Sequence, residues 1–339
     1  MTGDSKILRR SLKSFGLSDP AINAAWPDWW SAEAEGSPSA QNELRFSLAR
    51  KLGLDPRSLL DDSEPRFIWR DEAKFKRLTG ENQFELAALT SFGMSVGSAL
   101  VHATPSVAMP NLAVPADFRA MILETKDYQS RYVDLNDLLY ICWGIGIPVI
   151  HLKVFPLEAK RMCAMTVKIG ARYAILLGHE VRYPAQAAYY MAHELGHIAL
   201  GHLNDDTIAL VDLDDVLRRK GGADDEEERA ADQYALTLLT GQPDPKVLTD
   251  TKNYLARELA AVALQNAGAL EVEPGTLALC FGHNTGRWTK VFAALRQIYR
   301  LPQPLWRIIN TVAQSQMAVD AIPGDYGAYL AHVMGLTEK

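Results

Sequence analysis

Cysteine is scarce in this chain and carries no pattern. Cys142, Cys163 and Cys280 are the only three among 339 residues. An odd number without CxxC spacing points to neither a disulfide framework nor a cysteine-built zinc site, and a reducing, cytoplasmic setting is expected. Positive charge is also short: the formal net charge of -6 argues against a general polyanion binder. Long apolar runs are missing too. Met1 to Gly16 is polar and basic, with no stretch suited to a signal peptide. Leu138 to Ile150 is too short to span a bilayer and is interrupted by Gly144, Gly146 and Pro148. It reads as a helix end turning into a buried strand, and no membrane segment is expected. The absence of a fixed-period repeat or low-complexity tract speaks against a solenoid or a linker-like chain.

What is present describes a well-cored globular protein, 48% hydrophobic and 22% charged, long enough for two or three domains. An α+β fold is expected, mostly helical with a small sheet, in three regions. Residues 1–115 form a helical N-terminal region, in which Trp26, Trp29 and Trp30 read as core or packing surface. Within it, residues 37–60 read as two short helices broken at Gly53 and look like half of a helix-turn-helix. Basic and acidic residues nearly balance there, so direct DNA contact is not expected. Three prolines between His102 and Pro115 mark a linker. Residues 116–245 carry the chemistry: helices from Asp117 to Tyr128 and Val133 to Trp143, then strands at Ile147–Ile150 and Arg172–Leu177. A long helix opened by Pro184 runs through His202, and another spans Asp224 to Leu239. Residues 246–339 read as helical, with breaks at Pro274-Gly275, Gly282 to Gly286, Pro302 to Pro304 and Pro323-Gly324.

The chemistry centres on His193-Glu194-Leu195-Gly196-His197. Residues four apart share one face of a helix, so His193 and His197 present two imidazoles to one point. Glu194, one residue on, reaches a water at that point without filling a ligand position. Catalytic zinc takes three protein ligands and leaves one position open. One Zn2+ per chain is therefore expected, with Glu194 as general base. Glu228 is the expected third ligand, because it alone in its acidic run has Asp232 one turn later to orient a ligating histidine, His193. Glu226 and Glu227 read as dipole-stabilised surface charge. His202 reads as a supporting histidine or a partner of Asp205. Tyr189 and Tyr190 are transition-state candidates that also suit helix packing. Arg229 and Tyr234 are weaker candidates, and His102, His151, His179, His283 and His332 read as ordinary. The strand Arg172–Leu177 is a candidate for holding an extended peptide by edge pairing.

Three segments resemble the ImmA/IrrE group of bacterial metallopeptidases. They are Gly146-Ile147-Pro148-Val149, the run from Arg172–Leu177 to the helix Ala192–His202, and Glu228-Arg229-Ala230-Ala231-Asp232 through Leu239. Ala230 stands where that family often has another Glu, and Thr240-Gly241 replaces its usual Met-Pro. The likeness spans about Ala116 to Leu239. It implies a zincin-like core with limited proteolysis of one protein partner, a helix-turn-helix regulator or antitoxin, in stress response or transcription regulation. The alternatives are a DNA- or protein-binding regulator with a non-catalytic metal site, or a broad-specificity peptidase. The Glu194 general base argues against the first and the large helical flanks against the second.

Overall fold

A computed structural model describes residues 3–61, 63–69, 73–75 (backbone only), 83–127, 130–158, 162–212, 226–246, 254–299, 304–318, 322 and 324–337. The first helices are α1 (Gly3–Ser14), α2 (Asp19–Ala25), α3 (Pro38–Leu52) and α4 (Pro56–Leu60), followed by strand β1 (Ala73–Phe75) and helix α5 (Gln83–His102). The middle of the chain gives α6 (Pro115–Glu124), α7 (Leu135–Gly144), β2 (Val149–His151), β3 (Ala164–Ile169), β4 (Arg172–Leu177), α8 (Pro184–Ala199), β5 (Ala209–Asp212) and α9 (Glu226–Thr240). The C-terminal helices are α10 (Ala256–Leu270), α11 (Pro274–Thr285), α12 (Trp288–Ile298), α13 (Leu305–Gln316) and α14 (Tyr326–Met334). The protein is thus α+β and mostly helical, with a small mixed sheet, as the sequence indicates.

Proline sets many of the helix starts. Pro38, Pro56, Pro115, Pro184 and Pro274 each occupy the first position of a helix, where the missing N–H is no loss. Asp134 and Asp137 form a capping box at the start of α7. The break at Gly53 is as expected, with α3 ending there in a left-handed turn. The expected helix from Asp117 begins two residues early and ends at Glu124; Tyr128 lies outside the described residues, as do Asp224, Pro302 and Pro323. The helix expected to run through His202 stops at Ala199, because Gly201 turns left-handed at φ 72° and ends it.

The sheet order is β1-β5-β3-β4-β2. β3 runs antiparallel to both β4 and β5, while β1 pairs with β5 and β2 with β4 in parallel. This corrects one expectation. Arg172–Leu177 is β4, an interior strand paired along its length with β3 and at Ile175–Leu177 with β2, and so is not the edge of the sheet. At the β2 edge, Asn310 of α13 accepts from the His151 N–H and donates to its C=O.

The sheet lies between two helices. Successive strand residues face opposite ways. Met165 and Val167 of β3 meet α5, where Gly93 and Gly97 have no side chain; a Cβ there would stand 2.1 Å from the Met165 sulfur and 2.4 Å from a Val167 methyl. Thr166, between them, faces α8 instead. By length and composition α5 could cross a membrane. Here it is a core helix, buried from Leu86 to Met94 and again at most positions to Val101. One apolar core draws on residues from Leu8 to Met334, so the three regions share surfaces. Arg172 ties down the segment after α5 by donating to the carbonyls of Val101, Thr104 and Pro105. In the helix-turn-helix-like segment, Arg45 donates to Leu59 O, and buried Lys51 binds Asp325 and Ala25 O.

Candidate metal centre

Helix α8 runs beneath the sheet with nearly all its residues buried. It packs most closely on α9, and Gly196 makes that approach possible. A Cβ at 196 would lie 3.1 Å from Ala231 Cα, Ala231 O and Tyr234 Cβ. The two helices therefore meet almost backbone to backbone, which brings Glu228, one turn before Ala231, over the histidines of α8.

The expected ligands converge. Nε2 of His193 and Nε2 of His197 are 3.1 Å apart. Glu228 places Oε2 3.5 Å from the first and Oε1 3.3 Å from the second. Bonds of about 2.0–2.1 Å to a tetrahedral zinc set ligand atoms roughly 3.3 Å apart, so the spacing and donor set fit a divalent ion. All three side chains are buried. Of the acidic run, Glu228 turns inward while Glu226 is exposed and Glu227 half-buried.

The surroundings orient these groups. Asp232 Oδ1 lies 2.9 Å from His193 Nδ1, which places the proton on Nδ1 and leaves the Nε2 lone pair toward the ion. Burial pushes the His193 imidazole down, but the Asp232 hydrogen bond, aided by the charges of Asp212 and Glu194, prevails and raises it. Tyr189 donates its hydroxyl to Asp232 at 3.0 Å, so this phenol supports the orienting carboxylate. Tyr190 packs its ring edge-on to His179. His202 lies beyond the helix end, its Nδ1 2.8 Å from Nδ1 of His197. It stands to His197 as Asp232 stands to His193. The expected alternative partner, Asp205, is bound to Lys168.

Two neighbours carry no sequence motif. Thr166 of β3 donates its hydroxyl to Glu194 Oε2. Asp212, the last residue of β5, places Oδ2 3.5 Å from His193 Nε2. Among the other candidates, Tyr234 is buried and donates to Leu112 O, and His151 is buried with both ring nitrogens facing carbonyl oxygens. Family models, curated proteins and solved structures were all compared with this chain, and none matches.

Proposed function

We propose that this protein is a zinc-dependent endopeptidase that performs limited proteolysis of a cytoplasmic regulatory protein. The reading is carried by the convergence of His193, His197 and Glu228 at 3.1–3.5 Å with Glu194 on the same helix. Two imidazoles and a carboxylate favour zinc over harder ions. A zinc ion held there would supply Lewis acidity and make water acidic enough to ionise near neutral pH. Glu194 takes the proton of the attacking water on its carboxylate and passes it to the leaving amine. Thr166 holds one Glu194 oxygen through its hydroxyl. Asp232 and His202 keep the imidazoles in the ligating tautomer.

The zincin-like core and the likeness to the ImmA/IrrE group belong to the same proposal, as does a helix-turn-helix regulator or antitoxin as substrate. Direct DNA contact is disfavoured because Arg45 and Lys51 of the helix-turn-helix-like segment are spent on internal partners. A purely structural metal site has no use for Glu194. Glu194→Gln should keep one zinc per chain by metal analysis and lose roughly 10²–10⁴-fold in cleavage. Cleavage at the wild-type rate would remove the mechanism. General digestion of casein would instead favour an unselective peptidase.

A further inference from the structure

A cavity of about 490 Å³ opens at the end of α8 away from the metal centre, within the range of small-molecule sites, roughly 300–1,000 Å³. Its walls come from the start of α7, the first turns of α8, the start of α11, and the ends of α12 and α13 that face each other. Leu135, Ala188, Leu305 and Ile308 supply apolar surface; Glu273, Asp134, Tyr132 and Tyr299 supply the polar groups. No Lys, Arg or His is among the described lining residues.

Glu273 is the unusual member. It is 8% exposed and caps α11 by accepting from Thr276 N at 2.8 Å and Thr276 Oγ1 at 3.2 Å. Its other oxygen accepts from the Tyr299 hydroxyl at 2.5 Å, and the Ala185 N–H of α8 faces that same hydroxyl. These donors are all neutral. Among the described residues no basic side chain pairs with Glu273, whereas Asp134 shares Lys126 at 3.5 Å. A buried carboxylate without a counter-charge is costly, and burial duly pushes Glu273 up. An anion entering here would meet two carboxylates, and a neutral guest would leave the charge uncompensated. A cation answers it, and phenol rings favour cations further.

We propose that this cavity binds a small organic ammonium ion with an apolar body, its charged end at Glu273 and Tyr299 and its body against Ala188 and Leu305. The site is distinct from the metal centre, and its existence does not depend on the peptidase reading. The test is calorimetric titration of the full chain with three probes of one size: 2-phenylethylamine, 2-phenylethanol and 3-phenylpropionate. The amine should bind, the alcohol at least tenfold more weakly, and the carboxylate not at all. Glu273→Gln should weaken the amine at least tenfold with zinc content unchanged. Should that variant fail to fold, Ala188→Met fills the cavity from the α8 wall with both carboxylates intact and should abolish binding. No heat with the amine, equal affinity for the three probes, or undiminished amine binding in the folded variants would overturn the proposal.

Discussion

His193 and His151 are both buried imidazoles, and their fates differ because their neighbours do. His193 has carboxylates on both sides, Asp232 at Nδ1 and Asp212 near Nε2. At His151 burial outweighs the two carbonyl oxygens and the Glu180 charge that favour the proton, and with Lys153 nearby it lowers the pKa from 6.5 to about 4. The fold therefore favours the neutral ring. Between pH 6.5 and about 4 the unfolded chain binds the proton that the folded chain refuses. The stability His151 contributes is complete above pH 6.5 and is lost as pH falls through that window, by about 3 kcal/mol in all. Thermal unfolding from pH 7 to 4 should show this loss, and His151→Gln should flatten that part of the curve. An unchanged slope in the variant would place the acid sensitivity elsewhere.

At the scale of elements, the contact between α8 and α9 is what makes a metal centre out of two histidines and a distant glutamate. Gly196→Ala forces apart backbones that meet at 3.1 Å from the new methyl. Overpacking of this kind costs about 1–3 kcal/mol. Because Glu228 rides on α9, zinc affinity should fall together with the melting temperature. Loss of stability at unchanged zinc affinity, by competition with a chelator, would show that the helix spacing does not set the ligand geometry. Both helices were legible in the sequence, since His193, His197, Glu228 and Asp232 are spaced by helical turns and proline and glycine mark the ends. The strand β4 was legible as an apolar run. β3 is signalled only indirectly, by Gly170-Ala171 before Arg172, a two-residue hairpin connection that points back to Ala164–Ile169. The contact of Thr166 with Glu194 depends on that strand, and no local spacing encodes it. Asp212 was likewise hidden: its proximity to His193 comes from sheet order.

Across the whole molecule, α3 near the start of the chain and the last helix, α14, are joined by a buried clasp. The Lys51 ammonium, on α3, binds Asp325 at the start of α14, and the Tyr329 hydroxyl donates to Lys51 O. Burial lowers Lys51, opposed by Asp325. Asp325→Ala strands that charge and should cost about 3 kcal/mol in chemical denaturation. Adding Lys51→Met removes the stranded charge and should recover at least half of the loss; a single variant as stable as the parent would mean the clasp holds nothing. The sheet joins other parts by a subtler means, through the alternation of β3 between α5 and α8. A shift of β3 by one position would take the hydroxyl from Glu194 and at the same moment push it against the glycines of α5. The alignment that builds the site is thus the one that closes the interior, and a misaligned chain would be both inert and poorly folded.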